Sequence, residues 1–132
     1  MTKTSQEPTP VDRFLTAIRT ATIDSCDAWA DDVVLDATVP NWRFHRMGAE
    51  QVRDTYREWF ADPGSFESLV RFPVDGGEVV EYTLTWVEGG VPHAAHHAHI
   101  LGLRNGRISS DTVLCGGRWS ASMLAEMEAA DG

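Results

Sequence analysis

The sequence predicts an α+β domain in which a cone-shaped, strongly curved antiparallel sheet wraps around helices. The main observation is a series of three β-rich runs within residues 78–117, separated by Gly89-Gly90 and Asn105-Gly106. Asn-Gly and Gly-Gly between alternating apolar runs indicate hairpins, because their turn residues need φ > 0. A second observation is that helical spacing of apolar residues occurs outside these runs. Helices then cover one face of the sheet.

Helices are predicted near residues 10–29, 49–61 and 120–129, where apolar residues recur every three or four positions. Pro10 suits the first turn of a helix, and Ser120 is a good N-cap for the last one. In that last helix we expect Met123, Leu124 and Met127 to face inward. The helix over 49–61 has one apolar stripe, formed by Val52, Tyr56, Trp59 and Phe60.

Strands are predicted over residues 33–39, 66–74, 78–87, 93–103 and 107–115, and a loop over 41–47. Residues 1–9 are polar and contain proline, so we expect a mobile N-terminal tail. Residues 10–132 then form a single domain, which is long enough for a hydrophobic core.

Composition excludes several classes of function. The net charge of −9 argues against nucleic acid and against anionic membrane surfaces as partners. No apolar run approaches the ~20 residues that cross a bilayer, and the N-terminus has no apolar segment of the secretory type. The two cysteines, Cys26 and Cys115, have no metal-type spacing. We therefore expect reduced thiols and a cytoplasmic protein.

Three motifs resemble those of the nuclear transport factor 2-like superfamily. Trp29-Ala-Asp-Asp-Val-Val-Leu-Asp36 is similar to the family's entry into its first strand, and Gly48-Ala-Glu-Gln-Val52 to a helix start after the pocket loop. His99-Ile-Leu-Gly-Leu-Arg-Asn-Gly-Arg-Ile108 resembles the turn before its last strand. The chain looks most like the SnoaL-like polyketide cyclase, ketosteroid isomerase and limonene epoxide hydrolase branches. The resemblance implies a cone with a blind apolar pocket, chemistry without a cofactor or metal, and a homodimer.

Two catalytic sets of these branches are not carried over. The general base of ketosteroid isomerase falls at Ala37, and the neighbouring Asp36 would point to the opposite face. The Arg and Asp of limonene epoxide hydrolase fall at Tyr82 and Leu84, and its partner Asp falls at Val113.

The middle β-rich run carries four of the five histidines and is the most informative chemistry in the chain. Counting back by two from Leu103 places Leu101, His99 and His97 on the inward face. Across the Asn-Gly turn, Asp111 lies at nearly the same distance as His99, so the two should occupy adjacent rungs of a hairpin.

We expect His97 and His99 to act as a general acid and base, because imidazole titrates near neutral pH. Asp111 would orient one of them. Tyr82, Trp86 and Leu101 would form the wall of a substrate pocket, and Trp42 and His45 would lie near its mouth. All eight residues are candidates for the site of a small apolar ligand.

Alternative interpretations remain open at this point. Any single histidine is more often a hydrogen-bonded core residue than a catalyst. His97 and His99, with Asp111 or His45, have the residue types of a metal site, although a His-x-His pair is a weak signal. The most favoured function is a cofactor-independent isomerase, cyclase, dehydratase or hydrolase for an apolar metabolite. The alternative is a non-catalytic ligand-binding or dimeric interaction domain.

A homodimer is also expected. The outward face of the histidine-rich strand carries Ala94, His96, Ala98 and Ile100, which are small or apolar for a surface that meets only water.

Overall fold

The computed structural model of the protein describes residues 7–131. Within this range three α-helices and six strands form the fold. They are α1 Pro10–Thr20, β1 Trp29–Val39, β2 Trp42–Met47, α2 Ala49–Trp59, β3 Gly64–Val74, β4 Gly77–Glu88, β5 Val91–Arg104, β6 Arg107–Ser120 and α3 Ala121–Asp131.

The six strands form one sheet in the order β2-β1-β6-β5-β4-β3. Strands β3 to β6 follow each other as antiparallel hairpins, and β2 pairs antiparallel with β1. The α+β class is confirmed. The sheet is mixed rather than wholly antiparallel, because β6 closes the series of hairpins by running parallel to β1.

Helix α1 begins with a capping box, in which Thr9 and Asp12 each bind the backbone N–H of the other. Residues 1–6 of the predicted tail lie outside the described residues, while Thr9 belongs to the helix cap. The predicted helix over 10–29 is wrong after Thr20, because Ala21 adopts φ 57° and ends α1. A 3₁₀ turn at Ile23–Ser25 follows, and Trp29 already starts β1.

The predicted loop over 41–47 is strand β2. Pro40 and Asn41 form a two-residue turn between Val39 and Trp42, which are register partners. Asn41 has φ 65°, which asparagine tolerates, and proline before it fits the first position of a type II turn. The chain therefore folds back along β1 instead of crossing the open end of the cone.

Strand β6 contains two irregularities that bend it and set its buried face. Leu103 pairs with Ile108, but Gly102 pairs with Ser110, so Ser109 is an extra residue in the ladder. This bulge lets Ile108 and Asp111 both point into the core, although they are three residues apart. At the other end Ala95 pairs with Arg118 and His97 with Cys115, so the strand continues past Cys115 to Ser120 through a second bulge.

The core lies between the concave face of the sheet and helices α1 and α2. Helix α1 buries Val11, Phe14, Leu15, Ala17 and Ile18, and α2 buries Val52 and Tyr56. Helix α3 buries no residue. Ser120 caps it, accepting from the backbone N–H of Met123 at 3.4 Å. The predicted inward face of Met123, Leu124 and Met127 is wrong, because the apolar residues of α3 are spread around the helix.

A comparison of two phenylalanines tests this layering. Phe14 of α1 is fully buried, and its ring packs 5.6 Å from the ring of Trp29 and 5.2 Å from that of Tyr56. Phe72 of β3 is 50% exposed. We expect Phe14→Ala to lower the free energy of unfolding by about 4 kcal/mol through the lost burial and the cavity left behind. Phe72→Ala should change it by less than about 1 kcal/mol. Urea unfolding measures both, and equal losses would contradict the position of α1.

Candidate functional site

The buried polar centre of the protein is the carboxylate of Asp111, which is 1% exposed. The hydroxyl of Tyr56, on α2, donates to Oδ2 of Asp111 at 2.5 Å. Nδ1 of His99, on β5, lies 3.0 Å from Oδ1. A buried carboxylate is costly unless donors satisfy it, and here a helix and a neighbouring strand each supply one.

The hydroxyl of Tyr82 joins the two buried histidines. It lies 2.9 Å from Nε2 of His99 and 2.9 Å from Nδ1 of His97. The register explains this placement, since Tyr82 pairs with His97 and the preceding inward residue, Val80, pairs with His99. The result is a continuous hydrogen-bonded chain in the order Tyr56, Asp111, His99, Tyr82, His97.

His97 forms the outer end of this chain and lines a cavity of about 270 Å³. Its ring lies 5.6 Å from the ring of Trp59 and 5.8 Å from that of Phe60. Within residues 7–131 no side chain or backbone group hydrogen bonds to its Nε2. Most of the other residues around the cavity are apolar: Val39, Pro40, Trp59, Phe60, Leu84, Trp86, Ala95, Cys115, Gly117 and Arg118 complete the lining.

Burial determines the ionisation of His97 and of the two tyrosines in the hydrogen-bonded network. It lowers the pKa of His97 to about 3, with smaller contributions from the charges of His99 and His96. Burial, with the charge of Asp111, raises the pKa values of Tyr56 and Tyr82 well above the usual tyrosine value. At neutral pH His97 is therefore an uncharged imidazole, and both tyrosines keep their hydroxyl protons.

A charged group lies at the rim of the cavity. The guanidinium of Arg118 pairs with Glu88 and lies 5.4 Å from the ring centre of Trp86. Glu88 also accepts from the indole N–H of Trp86 at 3.1 Å. These contacts fix the indole of Trp86 as one wall of the cavity.

The residues singled out from the sequence separate into three groups. His97 and Trp86 line the cavity. Tyr82, His99, Asp111 and Leu101 are buried behind its wall. Neither Trp42 nor His45 lines the cavity. The predicted place of His45 at the mouth is wrong, and that of Trp42, which shares a neighbouring groove with Trp59, stays a prediction.

The position of β2 explains that error. Because β2 pairs along β1, His45 is the register partner of Asp36 and lies 3.6 Å from it on the outer side of the sheet. Trp42 is the register partner of Val39 and is 69% exposed. Asp36 pairs with Arg43 at 2.6 Å on that same side, as its opposite facing predicted. His45 therefore cannot join His97 and His99. No cluster of three or more metal-binding side chains is found in the part of the chain that the structure describes.

Sequence reasoning missed the contribution of α2. The sequence predicts only an apolar stripe at Tyr56, Trp59 and Phe60, yet Tyr56 hydrogen bonds to Asp111 and the other two line the cavity. One signal was available, since a buried aspartate needs donors and Tyr56 carries a hydroxyl on an otherwise apolar stripe. Three of the four positions at which the two missing catalytic sets would fall are apolar, as expected: Ala37, Leu84 and Val113 are buried in the core.

Comparison with solved structures shows the nuclear transport factor 2-like fold. A nuclear transport factor 2-like protein from Anabaena variabilis matches with a TM-score of 0.68 and 14% identity, over 89% of this chain and 96% of its own. A protein of ketosteroid isomerase-like fold from Catenulispora acidiphila, in complex with trimethylamine, matches with a TM-score of 0.66 and 18% identity, over 91% and 92%.

A phenazine biosynthesis-related protein from Pseudomonas aeruginosa matches with a TM-score of 0.60 and 12% identity, over 81% of this chain and 79% of its own. No protein-family model matches the sequence, and no curated protein matches it. At these identities the likeness shows the fold. None of the helices in residues 7–131 is long and apolar enough to cross a membrane.

The buried state of His97 predicts a pH-dependent stability. Its pKa is about 3 in the folded protein and near 6.5 in the unfolded chain, so only the unfolded chain binds this proton between those values. Stability should therefore fall as pH decreases from about 6.5, with this residue contributing a slope of about 1.4 kcal/mol per pH unit.

Urea unfolding of the wild type and His97→Gln between pH 7 and pH 4 measures this contribution. The difference in free energy between the two proteins should shrink by that slope as pH falls. His45→Gln replaces a histidine that is exposed to water, and should leave the slope unchanged. Parallel curves for the wild type and His97→Gln would contradict a buried, neutral His97.

Proposed function

We propose that this protein is a cofactor-independent acid–base enzyme that moves a proton on a small, mostly apolar substrate. The observation that carries the proposal is the position of Nε2 of His97. This atom has no protein partner within residues 7–131 and belongs to a residue of the cavity wall, while Nδ1 of the same ring is held by Tyr82. A neutral imidazole with a free nitrogen in a pocket has the lone pair with which a general base takes up a proton.

The size and lining of the cavity support a small apolar substrate. A volume of about 270 Å³ lies just below the range of about 300–1,000 Å³ that is usual for ligand pockets. Trp59, Phe60 and Trp86 offer aromatic surfaces, which favour a flat or cyclic molecule. The Catenulispora protein of the same fold holds a small organic molecule, trimethylamine, which supports small-ligand binding by this architecture.

The chemistry that fits these groups is proton removal from a carbon next to a carbonyl, followed by return of the proton to another atom. Isomerases, cyclases and dehydratases share this step. His97 would take the proton at Nε2 and later return it, and the apolar walls would exclude water from the reacting carbon. Arg118 at the cavity wall would attract the oxygen that gains negative charge as the proton leaves.

A specific observation also favours the second candidate, a non-catalytic ligand-binding domain. The aromatic walls of the cavity would bind an apolar molecule without any participation by His97. The two functions differ in what His97 contributes, so one variant separates them.

Hydrogen exchange on bound ketones tests the proposal. Small cyclic ketones that raise the melting temperature would be incubated with the protein in D₂O, and deuterium at the α carbon followed by NMR. We expect exchange faster than in buffer and at least about 100-fold slower in His97→Gln, because general base catalysis contributes factors of that size. His45→Gln is the matched control and should exchange as the wild type does.

The second candidate makes the opposite statement about the same variant. If ketones bind the wild type and His97→Gln equally well and neither protein accelerates exchange, the pocket binds without catalysis. That result would contradict the enzymatic proposal.

We further propose that the protein is a homodimer through the outer face of the sheet. Ile100 of β5 and Leu114 of β6 are each 49% exposed on this face, and Ala98 lies between them as the register partner of Leu114. An apolar patch at the centre of a sheet is typical of an interface.

Light scattering between 1 and about 100 µM tests the dimer. The wild type should have twice the mass of the chain, and Ile100→Arg should be a monomer, because a charge would be buried at the interface. Met127→Arg, on the exposed helix α3, is the control and should stay dimeric. A monomeric wild type at every concentration would contradict the proposal.

A further inference from the structure

Four members of the hydrogen-bonded chain do not touch the cavity, and their arrangement calls for a role. Tyr56, Asp111, His99 and Tyr82 are each at most 1% exposed. Placing this many polar groups in a core is unfavourable unless each one is satisfied, and apolar residues of the same size would pack at no such cost. The inference below rests on the proposed role of His97 as the group that meets the substrate.

With Asp111 ionised and a single proton on His99, the number of hydrogens assigns a direction to every bond in the network. The ionised carboxylate of Asp111 only accepts, so Tyr56 and Nδ1 of His99 both donate to it. Neutral His99 then has a bare Nε2, which accepts the single hydroxyl proton of Tyr82. The oxygen of Tyr82 is left to accept from Nδ1–H of His97.

These bond directions determine the tautomer of His97 at the cavity. With its one proton on Nδ1, neutral His97 presents a bare Nε2, which is the atom without a protein partner in the described part of the chain. Asp111 thereby determines the tautomer of His97 through the intervening side chains of His99 and Tyr82, without contacting His97 itself.

We propose that Tyr82 carries protons between the two histidines, so that a proton taken from the substrate by His97 leaves its positive charge on His99, beside Asp111. A bond forms between Nε2 of His97 and the substrate proton, and the substrate keeps the electron pair of the broken bond. The Nδ1–H bond of His97 breaks as a new O–H bond forms on Tyr82. The former hydroxyl proton of Tyr82 forms a bond to Nε2 of His99.

Electrostatics favours this final position of the charge. An imidazolium at His97 would be buried against Trp59 and Phe60, and burial already lowers the pKa of that ring to about 3. An imidazolium at His99 instead faces a carboxylate oxygen at 3.0 Å in a low-dielectric interior, where opposite charges attract strongly. Through the relay, the weakly basic ring of His97 passes the proton equivalent on to His99, where the positive charge is more favourable.

Few other charged groups lie near the hydrogen-bonded network from Tyr56 to His97. Helix α1 contributes the apolar ring of Phe14, 5.3 Å from that of His99, and α2 contributes Tyr56 with the aromatic cavity wall. Strand β6 contributes Asp111, Arg118, which pairs with Glu88, and Cys115, whose thiol pKa is raised by burial. On the opposite face of the sheet His96 pairs with Glu81 at 2.8 Å.

NMR of the histidine rings in the ¹⁵N-labelled free protein tests the relay without a substrate. In the wild type at neutral pH we expect His97 with its proton on Nδ1 and a bare Nε2. As the chain takes up its first proton on acidification, His99 should show two protonated nitrogens while the proton of His97 moves from Nδ1 to Nε2. A wild-type His97 that already carries its proton on Nε2, or that itself becomes the imidazolium, would overturn the proposal.

Two tyrosine variants make the test specific. Tyr82→Phe removes the acceptor of Nδ1–H of His97. The neutral ring should then no longer be held in the Nδ1–H tautomer, and the Nε2–H tautomer should become populated. Tyr56→Phe also deletes one buried hydroxyl, but at the far end of the chain, and should leave the form of His97 unchanged. An unchanged His97 in Tyr82→Phe would overturn the relay, even where the ketone exchange by His97 is observed. Loss of that exchange with an intact relay would instead reject the enzymatic proposal.

Discussion

The buried carboxylate of Asp111 is the constraint on which the rest of the site depends. It comes from β6, but its two hydrogen-bond donors belong to α2 and β5. Moving α2 away would leave one carboxylate oxygen without a donor, and an unsatisfied buried charge costs several kcal/mol. The ionic group therefore couples the position of α2 to the sheet, and α2 in turn supplies Trp59 and Phe60 to the cavity.

The sequence predicts that His97 and His99 share one face of β5 and that Asp111 lies near His99, and in the structure His99 and Asp111 are hydrogen bonded. The Asn105-Gly106 turn fixes the start of the β5–β6 hairpin. A regular register from that turn would pair Asp111 with Ile100 on the outer face, and the bulge at Ser109 moves Asp111 to the inner face, opposite Leu101. The structure has His99 opposite Val113 and Leu101 opposite Asp111, so the histidine and the aspartate are on adjacent rungs. What counting by two did not predict was the bulge at Ser109, because no local pattern marks it.

The cavity itself was much less predictable. Its walls combine residues from β1, α2, β4, β5 and β6, and the contacts between a helix and a sheet depend on the packing of the whole core. The function of the Tyr56 hydroxyl is invisible in a helical stripe until Asp111 is placed opposite it. The error at His45 has a local cause, since one tight turn at Pro40 and Asn41 decides whether the next residues cover the cone or extend its sheet.

The polar atoms that have hydrogen-bond partners, and the one at the cavity that has none, help to explain why this network lies in the core. Tyr56, Asp111, His99 and Tyr82 find all their partners among themselves and His97, so their polar atoms are sealed from water. A buried polar network usually ends on another protein group or on water. This one ends at a ring nitrogen in an apolar cavity. Departures from the packing rules of a core are expected where a protein works, and this one supports the proposed role of His97.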